Sequence, residues 1–148
     1  MNNKKCCQNI GFYCPKEKVK KVVLLTGTNY VDSIDLNTVN FNSATKDIEE
    51  FVEKLWAEFN SAKICIVNIL PRAVASKNYI IQELNRYIEN MCYRHGLLYI
   101  NTEHENNLFT LNNSRKDKYF GRGHDNVHLN KLGIARLGKH LKYVTHLC

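Results

Sequence analysis

Two short segments carry residues whose types and spacing suit acyl-transfer chemistry. In "HDNVHLN", Asp125 and His128 stand three residues apart, just before a stretch with a helical pattern. An aspartate beside a histidine fixes the tautomer of the imidazole and stabilises its charged form, which makes the histidine a general base. In "TGTNY", Gly27 permits a tight turn directly after an apolar run, and Asn29 offers a side-chain amide as an oxyanion donor.

A metal site is the weaker interpretation of the same segment. His124 and His128 are four residues apart, but no strong third ligand is evident near them. The cysteines lack the short paired spacing of zinc knuckles, and Cys65 and Cys92 lie in apolar patterns typical of buried free thiols. We therefore predict no metal and no cofactor, and reduced cysteines.

The elements that must position these residues alternate between strand and helix patterns. Apolar runs predict strands over 20–26, 63–70 and 97–101. Amphipathic patterns predict helices over 44–60, 77–95 and 130–143. This alternation predicts an α/β fold with three layers, in which a short parallel sheet is covered by helices on both faces.

Details of the helices follow from their stripes and caps. Ser43 or Thr45 is a candidate N-cap of the first helix, Gly96 ends the second, and Asn130 caps the third. The apolar stripe of the first helix is expected to be core, Trp56 and Phe59 included. The predicted inward positions of the third helix are Leu132, Ala135, Leu137 and Leu141.

The segments that follow the three strands are expected to meet. They span 26–31, 71–78 and 102–129, and the carboxyl ends of parallel strands lie at one edge of a sheet. Gly27, Asn29, Asp125 and His128 should therefore converge there. The last of these segments is long for a loop without secondary structure, which is typical of functional or disordered segments. Arg72, after the second strand, suits either an anion or a salt bridge.

These residues resemble the SGNH/GDSL hydrolases. The third block of that family, a buried strand followed by Gly-x-Asn, is matched by "VVLLTGTNY", and its Asp-x-x-His block by "DNVHLNKLG". The resemblance is closest to esterase-like domains of retroelements, through "ILPR" at 69–72 and the "HLN" helix start, and it covers roughly 20–142. It implies a flavodoxin-like α/β/α fold, an ester substrate, catalytic roles for Asp125 and His128, and an oxyanion role for Asn29, with Gly27 beside it.

The departures from that family concern catalysis. Tyr30 stands where the family has an aspartate. Only 19 residues precede the first strand, and they contain no serine, whereas a strand–helix–strand unit needs about 30 residues. The nucleophile block is therefore missing, as in an N-terminally truncated member. Possible substitutes are Ser33, which lacks an elbow to expose it, and Ser76, which suits a helix cap better. Cys6, Cys7 or Cys14 could instead fold over the site, since Cys–His pairs perform acyl transfer.

Length and composition set the remaining expectations. The 148 residues suit one domain over 20–148, preceded by a basic segment over 1–19. No apolar run approaches the ~20 residues of a membrane span, and the N-terminus lacks the apolar region of a signal peptide. We therefore expect no membrane association and a cytoplasmic or nuclear location.

The net charge of +7 is unevenly distributed along the chain. Residues 1–21 hold six lysines and one glutamate, and residues 114–142 hold eight basic and two acidic residues. The centre, 22–113, holds seven basic and eleven acidic residues. Two basic ends suit either solubility or RNA binding.

Three function classes follow. The first is an inactive, hydrolase-like pseudoenzyme. The second is a non-catalytic RNA-binding module on the same fold. The third is an active esterase that is completed by an upstream segment or a second chain. Without its first strands, the sheet would also expose the 20–26 strand as an edge, which predicts self-association or a protein partner there.

Overall fold

A computed structural model describes residues 15–34, 39–103, 107–123 and 125–146 of the chain. Its centre is a parallel sheet of three strands, β1 (Lys21–Leu25), β2 (Lys63–Val67) and β3 (Leu98–Ile100), in the order β1-β2-β3. The helices are α1 (Val39–Glu58), α2 (Ala75–His95) and α3 (Lys131–His146). The predicted alternation of strands and helices is confirmed.

The two faces of the sheet are covered by different helices. Alternate strand residues, Leu24, Ile64 and Ile66, pack against α1 and α2 on one face. Cys65 and Val67, with the opposite side-chain direction, belong to a second core that includes Leu137 of α3. Side chains alternate across a strand, so the apolar runs could fill both cores. The three-layer α/β/α prediction is therefore confirmed.

Helix α1 differs from its prediction at both ends. It begins at Val39, so Ser43 and Thr45 lie inside it and are not caps; the Thr45 hydroxyl donates to the Asn42 carbonyl, 3.0 Å away. Ala44, buried at the same face as Ile48, extends the apolar stripe towards the N-terminus. Trp56 is 56% exposed, so its assignment to the core was wrong.

Helix α2 agrees with its stripe and with its predicted end. Its buried residues are Ile81, Leu84, Ile88, Met91 and Cys92. Gly96 follows the helix with φ of 66°, and its N–H donates to the last carbonyls of the helix. Cys65 and Cys92 are buried, as expected, and form no disulfide among the described residues; burial raises the pKa of the Cys92 thiol to about 11.

Helix α3 is capped by Asn130 as predicted, since the Asn130 side-chain oxygen accepts the N–H of Gly133 at 2.9 Å. Its inward face is wrong in part. Gly133 and Leu137 are buried and Leu141 packs against the second core, but Leu132 and Ala135 are exposed. A side chain on Gly133 would collide with the Tyr119 carbonyl, so the helix meets the domain through its smallest residue.

The segment predicted as one long loop over 102–129 is largely ordered where it is described. It contains a small hairpin, β4 (Thr110–Leu111) with β5 (Ser114–Arg115), and a 3-10 turn at Asp117–Tyr119. Phe109 is fully buried against the edges of the Tyr119 and Phe120 rings, with centroids 5.7 and 5.9 Å away. Residues 104–106 and His124 lie outside the described part.

The basic N-terminal segment is described only from Pro15. Lys16–Lys18 form a 3-10 turn, and Lys16 pairs with Glu58 at the end of α1. Cys6, Cys7 and Cys14 lie outside the described residues. No helix among the residues that the structure describes is long and apolar enough to cross a membrane.

Strand β1 is an edge of the sheet within the described chain, because its only strand partner there is β2. The face that it turns towards α3 is also open. Val23 and Leu25 are 41% and 50% exposed, whereas their register partners Cys65 and Val67 are fully buried. A bare edge with apolar side chains is prone to pairing with another chain.

We predict that the chain self-associates through β1, and that a lysine at Val23 and at Leu25 weakens this association. Sedimentation velocity over a range of concentrations measures the effect. The matched control is Trp56→Lys, which removes a comparably exposed apolar residue from α1 and leaves β1 intact, so it should change nothing. A wild-type chain that remains monomeric at high concentration would show that the edge is already protected.

Candidate active site

The turn after β1 depends on Gly27. Its φ is 100°, which is unfavourable for residues with a side chain. A Cβ on this residue would lie 2.7 Å from the Ile69 side chain, which follows β2. The chain then enters a 3-10 turn at Thr28–Tyr30, which presents Asn29 as an exposed residue. A glycine is therefore needed both for the conformation and for the close approach.

Tyr30, which replaces the family's aspartate, belongs to the scaffold. It packs against the core under α1, and its hydroxyl donates to Asp47 of that helix at 3.5 Å. Burial, followed by the negative charge of Asp47, raises the pKa of the Tyr30 hydroxyl. The position thus links the turn to α1.

Asp125 and His128 are hydrogen-bonded to each other. The His128 Nδ1 lies 2.8 Å from the Asp125 Oδ1, and the His128 backbone N–H donates to the same oxygen at 3.1 Å. These hydrogen bonds, the backbone one first, hold the pKa of the Asp125 carboxyl below its usual value. An ionised carboxylate only accepts, so in the neutral imidazole Nδ1 carries the proton and Nε2 has the lone pair. The imidazole has the tautomer that a general base requires.

The loop that carries this pair is held at both ends. The Gly121 N–H donates to the His128 carbonyl at 2.9 Å, and Phe120 and Leu129 form an antiparallel bridge. The Asn130 amide donates to the carbonyls of Lys118 and Phe120, at 2.8 and 3.0 Å. Asn130 therefore caps α3 and closes the loop at the same time.

A mostly apolar cavity of about 430 Å³ lies between β1 and α3. His128 borders it together with Thr26 and Thr28 from the turn after β1. The rest of the lining is Leu25, Ile69, Leu70, Val127, Leu129, Ile134, Leu137, Gly138 and Leu141. The turn after β1 and the Asp125–His128 loop therefore meet at one cavity, on the carboxyl edge of the sheet.

Some of the predicted site residues line this cavity and others do not. His128 lines it, while Asn29 lies next to a lining residue without lining it itself. Ser33 donates to the Tyr30 carbonyl at 3.0 Å, and Ser76 lies in the first turn of α2; neither borders the cavity. The threonines at 26 and 28 went unnoticed in the sequence, because a threonine after a strand is an ordinary residue there.

One further titratable cluster lies away from this cavity. Ligand atoms of Glu49, Glu53 and His95 lie within 4.8 Å of one another, as a metal site would need. The Glu49 carboxylate is already bonded to Tyr87, Arg94 and His95 of α2, and these bonds, that from Tyr87 first, lower its pKa to about 2. The arrangement links α1 to α2 and leaves Glu49 little capacity for a metal.

No protein-family model and no curated protein matches this chain. Solved structures with a similar fold include the following two. A GDSL-like lipase from Bacteroides thetaiotaomicron is 18% identical, with a TM-score of 0.69 over 97% of this chain and 70% of that one. A protein described as a platelet activating factor from Streptococcus pneumonia is 20% identical, with a TM-score of 0.74 over 97% and 68%. At these identities the likeness establishes a shared fold.

We predict that Gly27→Ala destabilises the chain by about 1–3 kcal/mol, because the new methyl group meets Ile69 in a backbone conformation that alanine resists. Gly96→Ala is the matched control. Gly96 also has a positive φ, but nothing lies within 4 Å of its added Cβ, so this variant isolates the backbone strain. Urea unfolding measures both. Equal losses in the two variants would contradict a steric role for Ile69.

Proposed function

We propose that this chain, whose fold is that of the GDSL/SGNH-like hydrolases, is an ester-hydrolase-type domain that holds the base half of an active site and lacks a nucleophile of its own. The supporting observation is the hydrogen bond from His128 Nδ1 to Asp125, at the border of an apolar cavity shared with the turn after β1. Alone, the chain has little or no esterase activity.

Each residue has a defined role in this proposal. In a site completed by a nucleophilic hydroxyl from another segment or chain, His128 accepts the hydroxyl proton at Nε2, and Asp125 stabilises the imidazolium that forms. Asn29, beside Gly27 in the exposed turn, donates its side-chain amide to the developing oxyanion. The apolar lining of the cavity suits the hydrocarbon part of an ester. No step requires a metal or a cofactor.

The proposed lack of a nucleophile rests on the surroundings of His128. Among the described residues, the side chain of His128 is hydrogen-bonded to Asp125, and no serine or cysteine lines the cavity. The hydroxyls that do line it belong to threonines, and that of Thr28 lies 3.4 Å from the guanidinium of Arg72. The alternative is an active esterase whose nucleophile comes from an upstream segment or a second chain.

We predict that turnover of a short-chain aryl ester by this chain stays near the uncatalysed background, and that His128→Ala changes it little. The physical reason is that a base without a nucleophile retains only a small part of the rate enhancement. His146→Ala, at an exposed position on α3, is the control for non-specific imidazole catalysis. A robust rate that is abolished at His128 but not at His146 would contradict the proposal and favour a nucleophile missed here.

RNA binding is a second candidate, favoured by the amino edge of the sheet. Lys21 and Lys63 are register partners at the starts of β1 and β2, and both are exposed. The Lys21 ammonium group donates to the Thr145 carbonyl near the end of α3. This contact brings the start of β1 close to the end of α3. The lysines at the starts of β1 and β2 and the basic residues of α3 are therefore the candidate phosphate contacts.

We predict for this candidate that single-stranded RNA binds at low salt and that binding weakens steeply as salt rises, through counterion release. Neutralising Lys21 and Lys63 with glutamine should reduce the salt slope by about 0.7 for each phosphate that is no longer neutralised. Lys46→Gln with Lys54→Gln, on the outer side of α1, is the control. Absence of binding even at low salt would exclude this function. An equal effect of both double variants would mean that binding follows net charge alone.

A further inference from the structure

Arg72 is a buried charged residue that contacts the turn carrying the proposed oxyanion donor. It follows β2 and is 8% exposed. Its Nη2 donates to the Thr28 carbonyl at 2.8 Å and lies 3.3 Å from an oxygen of Asp32. The two acceptors lie before and after Asn29 in the sequence, so one guanidinium group holds both sides of the turn that carries Asn29.

The backbone of Arg72 is fixed independently of its side chain. Its N–H donates to the Asn78 side-chain oxygen at 2.8 Å, and its carbonyl accepts from the Asn78 amide at 2.9 Å. Asn78 belongs to the first turns of α2. A rotation of this backbone would break both hydrogen bonds at once. The guanidinium group therefore extends to the turn from a backbone that is fixed in position.

The carbonyl that Arg72 binds also closes the turn itself. The Val31 N–H donates to the Thr28 carbonyl at 3.3 Å, and the Tyr30 N–H donates to Gly27 at 3.1 Å. A charged donor on that carbonyl favours the closed turn over alternatives that would redirect residue 29. We propose that Arg72 is a positioning residue that fixes the Asn29 turn in its donor orientation, an inference that rests on the proposed function of Asn29.

An arginine at this buried position is a poor choice for increasing the folding stability of the chain. A buried guanidinium loses hydration, and its Nε–H has no hydrogen-bond partner among the described residues. Its ionic partner Asp32 is largely exposed and is shared with Lys77, at 3.7 Å. Replacement of such a charge by an apolar side chain is often neutral for folding. One guanidinium nitrogen, Nη2, with its two N–H donors, in contrast contacts both the Thr28 carbonyl and the Asp32 carboxylate.

The test is hydrogen exchange measured by NMR on the whole chain, with Arg72→Met, Arg72→Lys and the exposed control Arg86→Met. In Arg72→Met we expect the amides of Tyr30, Val31 and Ser33 to exchange on the order of tenfold faster, while the amides of β2 and α2 are unchanged. The Asn29 side-chain resonance, identified by its loss in Asn29→Ala, should shift. Arg72→Lys should restore the slow exchange in part, because lysine keeps a charged donor but its shorter side chain reaches the two acceptors less closely.

Two outcomes would overturn the proposal. In one, the turn exchanges at the wild-type rate in Arg72→Met. In the other, the turn, β2 and α2 accelerate by the same factor and the melting temperature falls, as expected of a residue that serves only global stability. Neither readout involves ester hydrolysis, so a failed esterase proposal and a failed positioning proposal give different results.

Discussion

The carboxyl edge of the sheet is fixed by asparagine side chains that bind the backbone directly after β2. Asn85 bonds both the N–H and the carbonyl of Ile69, at 2.7 and 3.0 Å, and Asn78 does the same for Arg72. Asn68, fully withdrawn from solvent, accepts the backbone N–H and the hydroxyl of Thr102, at 2.8 and 2.9 Å. A backbone that leaves a sheet loses its ladder partners, and these amides replace them. Ile69 then supports Gly27, and Thr102 sets the start of the segment that leads to His128.

The position of the cavity follows from unequal coverage of the sheet. Helices α1 and α2 fill one face along all three strands. On the other face, α3 and the aromatic cluster around Phe109 cover β2 and β3, whereas Val23 and Leu25 of β1 stay open. The cavity lies at this uncovered strip, directly beside His128. The same open strip therefore accounts for both the apolar site and the exposed edge.

Solvent exposure limits what the Asp125–His128 pair achieves by itself. The two side chains are 63% and 65% exposed, so water screens the attraction between them. Their hydrogen bond sets the tautomer and the ring orientation, which are geometric properties that survive screening. Electrostatic stabilisation of a transition state by the pair and by an oxyanion donor would be stronger if water were excluded from the cavity. The proposed positioning of Asn29 by Arg72 is also a geometric effect, because it fixes the turn before any ligand binds.

Local patterns determined much of this protein. The strand runs, the stripe and end of α2, and the cap at Asn130 depend on neighbours within a few residues, and the sequence is sufficient for them. The Asp125–His128 bond is of this kind, because three residues separate the partners and a cap follows. The fold class followed from the alternation of these elements, and the expected meeting of the turn after β1 with the final loop followed from strand direction.

Tertiary structure decided what depends on distant partners. Trp56 lies on an apolar stripe, yet it is exposed, because the packing of α1 in the fold decides how much of the stripe is covered. Gly133 faces inward on α3, whereas Leu132 and Ala135 are exposed. The reason is that the Tyr119 carbonyl approaches this face of the helix too closely for a larger residue. The segment after β3 is ordered because Phe109 is buried against the rings of Tyr119 and Phe120, which lie about ten residues later in the chain. Arg72 could not be assigned to an anion or to a salt bridge from the sequence, because its acceptors lie 44 and 40 residues earlier in the chain.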